Sequence, residues 1–204
     1  MTRRANATAA GVTFLLYIAA GVTSMAGLSS RPIDVMLSLT ICVCAIVLGV
    51  TLYRITCDED ADLAMLAMIC RVAEGILGAA FIAARLAVRS VDAGTVDART
   101  LEAIRVVLGR ATGLNVLVSA TLFAIGSTLF SYLLLRGRIV PAALAGFGLV
   151  ASVLLVIGLP LQLGGVLTGT IATAMWLPML AFEVPVAGWL IVKGAATPSR
   201  RLAA

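Results

Sequence analysis

Four ionisable residues interrupt stretches of sequence that are otherwise apolar: Arg71, Glu74, Arg85 and Glu183. A charge in hydrocarbon costs roughly 2.5–3.5 kcal/mol on insertion scales, so such residues turn inward and tend to mark working sites. Arg71 and Glu74 are three apart, which puts them on one helical face within pairing reach. Arg85 follows Glu74 by eleven residues, about three helical turns, and continues the same stripe. Gly78 lies on that stripe with Gly75 and Ala79 beside it, small enough for a neighbouring helix or a ligand to approach the backbone. Glu183 stands on a separate stretch between Pro178 and Pro185, each of which removes a backbone donor and frees a carbonyl one turn upstream. A bend near the level of Glu183 is therefore expected, and bent helices at membrane depth often line a cavity.

Two carboxyls facing one arginine leave a proton or a charge unbalanced, which suits general acid chemistry or proton loading. Glu74 and Glu183 are thus the catalytic candidates, and Arg71 is their shared counter-charge and a candidate ligand-binding residue. Arg85, Asn115, Gln162 and Trp176 fall toward the opposite end of their stretches and form a candidate vestibule for the same ligand. The competing explanation is structural, because a buried Arg–Glu pair also fixes which helices touch. Ser119, Thr121, Ser127, Thr128 and Ser131 are expected to bond to their own helix or to pack against a neighbour.

Composition narrows the chemistry. The chain has 204 residues, 61 % of them hydrophobic and 12 % charged, with a mean hydropathy of +1.11. A soluble domain is about half apolar and a quarter charged, so an ordinary soluble enzyme is a poor fit. There is no histidine, which removes His-ligated metal and haem sites and any His general base. The one lysine, Lys193, falls near the end of a stretch and cannot form a Schiff base deep in a bundle. The four cysteines show no paired metal spacing and read as reduced packing residues. With no nucleophile beside a base and no glycine-rich phosphate loop, neither cofactor nor metal is expected.

The elements that must position these residues are membrane helices. A hydrocarbon core about 30 Å thick needs around 20 mainly apolar residues per crossing, and six stretches meet that need: about 11–28, 35–53, 63–88, 114–135, 142–163 and 171–192. The expectation is an all-α, six-helix membrane bundle forming a single domain over 1–204. Arg3 and Arg4 precede the first stretch as in a signal peptide, but its length and the lack of a clear cleavage site favour a retained helix. Leu101, Ile104 and Leu108 recur at helical spacing opposite Arg99, Glu102 and Arg105, predicting a short amphipathic interfacial helix between the third and fourth spans. At about 1.5 Å per residue, Glu74 falls roughly 16 Å from one end of its span and Glu183 roughly 14 Å from the corresponding end of the sixth. Both carboxyls reach the middle plane.

Orientation follows from the basic residues. With the N-terminus inside, Arg3, Arg4, Arg54, Arg136, Arg138, Lys193, Arg200 and Arg201 fall on the inner side, and Arg31, Arg89, Arg99, Arg105 and Arg110 on the outer. That bias predicts both termini in the cytoplasm. Tyr53, Tyr132 and Trp189 then form an inner aromatic belt, with Trp176 near the outer face. The net charge of +5 is explained by topology and anionic lipid, without a nucleic-acid partner.

Three stretches carry a family likeness. Arg71, Glu74 and Gly75 are followed by Gly78-Ala79-Ala80-Phe81 and Arg85; Leu122-Phe123, Gly126-Ser127, Leu129-Phe130 and Tyr132-Leu133-Leu134 lead into Arg136, Arg138 and Pro141; and Phe182-Glu183 precedes Gly188-Trp189-Leu190 and Lys193-Gly194. In these the chain resembles the bacterial six-helix membrane proteins of the family designated domain of unknown function 4386. The resemblance implies a six-helix fold in a bacterial cell membrane and brings no reaction or substrate. The residues themselves suggest a mid-membrane Arg/Glu site for a small lipophilic or amphipathic molecule. Alternatives are acid-initiated chemistry on an isoprenoid or similar lipid, such as a cyclase; proton-linked transport, which with six helices points to a homodimer; and a structural accessory role.

Overall fold

The apolar stretches become seven helices in chain order: α1 (Arg3–Met25), α2 (Arg31–Thr56), α3 (Ala61–Arg89), α4 (Ala98–Arg136), α5 (Ala142–Leu163), α6 (Gly169–Ala174) and α7 (Leu177–Val192). The structure is a computed structural model describing residues 2–25, 31–89 and 97–196, with the side chains of residues 25, 31, 84, 85 and 87–89 outside the description. Among the described residues six helices are long and apolar enough to cross a membrane, α6 and α7 together making the sixth. The 22 residues of α5 span about 33 Å at 1.5 Å per residue, close to the thickness of a hydrocarbon core. The outward faces are apolar: Leu16 is 53 %, Val150 69 % and Ile157 60 % exposed, a surface that suits lipid rather than water. The chain is a multi-pass membrane protein built as a helical bundle.

Polar residues set where the helices start. Thr2 Oγ1 accepts from the Ala5 N–H at 3.2 Å, which begins α1 well before the apolar run at Gly11. Asp60 Oδ1 accepts from the Leu63 N–H at 3.2 Å at the head of α3. Asp97 Oδ1 accepts from the N–H groups of Arg99 and Thr100 at 3.1 and 3.0 Å at the head of α4. The fifth span has the bounds expected from the sequence. Residues 26–28 of the expected first span, and Arg200 and Arg201 of the basic count, lie outside the described residues.

Two elements differ from their sequence-based expectation. The helical segment expected between the third and fourth spans is present, but it runs on without a break into the fourth, giving one helix of 39 residues. Nothing between Leu108 and Leu114 stops it: Gly109 and Gly113 weaken helix propensity but leave every backbone hydrogen bond possible, and no proline intervenes. The sixth span does not break at Glu183. The interruption falls at Met175–Trp176, between α6 and α7, and Glu183 lies inside regular helix. Pro178 takes a place in the first turn of α7, where a missing N–H costs nothing, and Pro185 is accommodated within the helix.

The helices pack in chain order, α1 on α2, α2 on α3, α3 on α4 and α4 on α5, and α7 closes the ring by packing on both α5 and α1. Close approach depends on glycine at several contacts. A Cβ at Gly75 would come within 2.7 Å of the Cys42 carbonyl on α2, and one at Gly148 would collide with the Phe182 ring of α7. All four cysteines are free thiols, and Cys42, Cys44 and Cys70 are buried.

Both described ends of the chain meet at one end of the bundle, called here the terminal end. Arg3 donates from Nη2 to the Ile55 carbonyl at 2.6 Å, from Nε to the Ala196 carbonyl at 3.2 Å, and from Nη1 to Asp58 Oδ2 at 3.2 Å. Arg136 pairs through Nε with Glu59 Oε1 at 3.1 Å and through Nη1 with Asp60 Oδ2 at 3.4 Å. The Ala196 N–H donates to the Ile139 carbonyl at 3.1 Å. The α2–α3 turn, the α4–α5 turn and both chain ends are thereby tied together.

Candidate polar site in the bundle centre

Arg71 enters the ring from α3, ten residues or about 15 Å from the terminal end of that helix. Its stem fits because the flanking helices offer bare backbone: a Cβ on Gly49 of α2 would lie 3.1 Å from Arg71 Cβ, and one on Gly126 of α4 would lie 3.2 Å from Arg71 Cγ. The slot leaves the side chain 2 % exposed. One turn on, Glu74 meets it, with Arg71 Nη1 2.9 Å from Glu74 Oε2. The other carboxylate oxygen, Oε1, accepts from the Tyr17 hydroxyl at 2.7 Å. Tyr17 comes from α1, so the cluster joins helices that are not principal packing partners in the ring.

The rings around the guanidinium finish the site. Arg71 Cζ lies 4.7 Å from the centre of the Phe123 ring and 5.1 Å from that of Tyr17, distances at which a cation is held by the aromatic face. Tyr17 and Phe123 stack at 6.0 Å with 6° between their planes, and Phe123 meets Trp176 at 6.0 Å and 32°. Counted from the terminal end, these three residues stand thirteen to sixteen positions along their helices, about 20–24 Å. They form an aromatic layer on the far side of Arg71.

Glu183 borders this cluster from α7. It is 5 % exposed, close enough to feel the charges of both Arg71 and Glu74, and its Oε1 has no hydrogen-bond partner among the described residues. No ion pair links it to Arg71. Arg71 also keeps unused capacity, since Nε and Nη2 make no hydrogen bond among the described residues. The expected meeting of two acids and one arginine is therefore asymmetric, one acid in direct contact and the other alongside.

The remaining sequence candidates are distributed differently. Trp176 belongs to the aromatic layer. Asn115 is buried and donates from Nδ2 to the Leu77 carbonyl at 3.3 Å, which fastens α4 to α3. Gln162 is half-buried near the far end of α5, its Oε1 without a hydrogen-bond partner among the described residues. Among the described residues neither amide hydrogen-bonds to Arg71, Glu74 or Glu183. Arg85 lies on α3 with its side chain outside the described residues. Of the fourth-span hydroxyls, Thr121 and Thr128 donate to the carbonyls of Leu117 and Ala124, each at 2.8 Å. Ser119 Oγ is buried without a partner among the described residues.

Sequence reasoning missed Tyr17, Gly49 and the role of Phe123. Tyr17 did carry a signal: a tyrosine in mid-span, away from either interface, must find a partner for its hydroxyl. Among the described residues no three potential metal ligands cluster.

The family model described as Domain of unknown function (DUF4386) matches residues 32–194, and the chain belongs to that family. No curated protein and no solved structure matches the chain.

Proposed function

We propose, taking that membership as premise, that the chain is a proton-linked membrane protein in which Glu183 takes up and gives up a proton beside the Arg71–Glu74–Tyr17 cluster. The observation that carries this reading is the isolation of the Glu183 carboxyl. It is buried, has no ion pair, and leaves Oε1 without a partner among the described residues, although Arg71 and Glu74 are near. An intramembrane acid with no compensating contact is costly to keep unless it works. The break between α6 and α7 supplies a point about which the helix bearing Glu183 can tilt as its charge changes. In this reading the terminal end faces the cytoplasm of a bacterial cell, in keeping with the excess of arginine there.

The test is proton flux into proteoliposomes under an imposed pH gradient, read with an entrapped pH dye. Wild-type protein should raise the flux several-fold over empty vesicles, and Glu183→Gln should return it to baseline. Glu183→Gln should also keep its thermal unfolding midpoint in detergent, because it removes no hydrogen bond or ion pair. Equal flux in both proteins sinks the reading; loss of folded protein in the variant makes Glu183 a clamp.

A second reading has its own support. Arg71 keeps unused hydrogen-bonding atoms and lines a small cavity with Phe14, Phe130, Met179 and Phe182, a setting that suits the polar head of a small amphipathic molecule. Such a ligand, or an isoprenoid substrate, would require the ring to open, because the closed bundle leaves only a water-sized cavity there. Binding that appears only on opening, and is weakened by Glu183→Gln, would favour it.

A further inference from the structure

Trp176, Met179 and Glu183 follow one another at intervals of three and four residues, so they share one face of α7. That face is the inner one, since Met179 and Glu183 are both buried and the Trp176 ring meets Phe123. The first and last of the three each lack a counterpart. Arg71 stands over the faces of Tyr17 and Phe123, but among the described residues no cation stands over Trp176, the ring type that holds cations most strongly. Glu183 Oε1 likewise has no partner among the described residues, whereas the two oxygens of Glu74 are engaged by Tyr17 and Arg71. An uncompensated carboxyl and an unoccupied indole face thus stand about 10 Å apart along one helix.

Charge decides what fits between them. Arg71 and Glu74 cancel as a pair, so the central cluster is neutral with Glu183 protonated and carries one negative charge with Glu183 ionised. The ionisable groups within reach of Glu183 are Arg71 and Glu74 of α3 and Tyr17 of α1, while α5 and α6 carry none. A buried charge has to be paired, and here either a proton or one bound monovalent cation restores neutrality. A neutral molecule or an anion does not. A hard metal ion needs a shell of oxygen ligands, and among the described residues no cluster of potential metal ligands surrounds Glu183. An organic cation instead finds a carboxylate at one end and an aromatic face at the other. We propose that the ion exchanged against the Glu183 proton is a lipophilic monovalent organic cation, of the quaternary ammonium or phosphonium class, seated between Glu183 and the Trp176 ring. One proton leaves as one cation enters, and the charge of the centre stays the same. This names the substrate class of the proton-linked reading above and rests on it. Met179, between the two groups, is unbranched and yields readily to a ligand. The break at Met175–Trp176 lets the ring swing aside, and Ile171 and Leu177 beside it are exposed apolar residues, so the cation arrives from the acyl chains.

Equilibrium dialysis of the detergent-purified protein against tetraphenylphosphonium, with binding to empty micelles subtracted, tests the site. The wild-type protein should release about one proton per cation bound, read with a pH dye in weak buffer, and its apparent Kd should rise about tenfold per pH unit of acidification while Glu183 is protonated. Glu183→Gln should bind at least tenfold more weakly and release no proton. Trp176→Leu should lose several-fold in affinity, and Trp176→Tyr should recover part of it. Tetraphenylborate, of the same shape and opposite charge, should bind no better than to empty micelles. If Glu183→Gln folds poorly, the proton count and pH slope of the wild-type protein decide. Equal binding of the two ions, binding without proton release, or undiminished affinity in Glu183→Gln overturns the proposal. Sodium chloride releasing the proton as effectively as tetraphenylphosphonium overturns it too. Proton flux that depends on Glu183, with no tetraphenylphosphonium bound, would remove the cation and leave the proton reading. Binding with proton release, beside equal flux in wild type and Glu183→Gln, would keep the cation site and remove proton transport.

Discussion

The molecule uses arginine–carboxylate pairs in two places, and they differ in almost everything but chemistry. In the centre, Arg71 and Glu74 are 2 % and 7 % exposed, held by a tyrosine hydroxyl and two aromatic faces. At the terminal end, Arg3 and Asp58 are 23 % and 25 % exposed, and Arg136 and Asp60 are each 30 % exposed, while Glu59, the other partner of Arg136, is itself buried. Water can replace a lost partner in the exposed Arg3–Asp58 pair and cannot do so in the middle. The same contact is therefore optional in one place and obligatory in the other: an exposed pair contributes about 0–1 kcal/mol, while removing one member of a buried pair costs about 3–5 kcal/mol.

The widest test of that contrast is Arg71→Gln, which leaves Glu74 buried without its cation. We expect a loss of about 3–5 kcal/mol, read as a collapse of the folded, monodisperse fraction on heating in detergent. Arg71→Gln/Glu74→Gln should recover much of the loss, and a double variant as unstable as the single would show that the two charges do not act as a pair. Tyr17→Phe comes next, removing one hydrogen bond to a charged acceptor, with an expected loss of about 1.5–3 kcal/mol by the same assay. Asp58→Asn at the terminal end, which gives up the exposed pair with Arg3, should cost about 1 kcal/mol or less, and the difference should shrink further in high salt. An Asp58→Asn loss equal to that of Arg71→Gln would erase the distinction between the two regions.

The smallest effect sharpens the contrast at the opposite end. The Asp97 carboxyl is held below the usual carboxylate range by the hydroxyl and N–H of Thr100, with help from the Arg99 N–H. A group whose folded pKa is depressed contributes its stability above the unfolded value and loses it as pH falls through the folded one. Asp97→Ala, or acidification through that range, should speed amide exchange in the first turn of α4 and leave the melting of the bundle unchanged.

These two regions were also unequally legible in the sequence. Arg71, Glu74 and Glu183 stand out because a charge inside a hydrophobic run is an anomaly, and counting residues from the span ends put the two carboxyls near one depth. The 58–60 acidic turn went unread because charges between spans are ordinary; only the ring closure brings it to Arg3 and Arg136. Span number and the bounds of the fifth helix followed from hydropathy alone. The break at Met175–Trp176 did not, because proline spacing gives candidate bends without choosing among them. Tyr17 was hidden by its own apolar body, which fits a membrane helix as well as any leucine does.

One feature of α4 extends beyond the core. Its 39 residues make a rod about 58 Å long, nearly twice the thickness of a hydrocarbon core. Gly126, pressed against the stem of Arg71, sits near one end of that rod, and Ala98 lies about 42 Å away at the other. Pivoting the rod by about 5° at Gly126 would sweep its tip through about 4 Å, so a lever arm of this length reports a small repacking around the guanidinium as a readable displacement at the opposite surface.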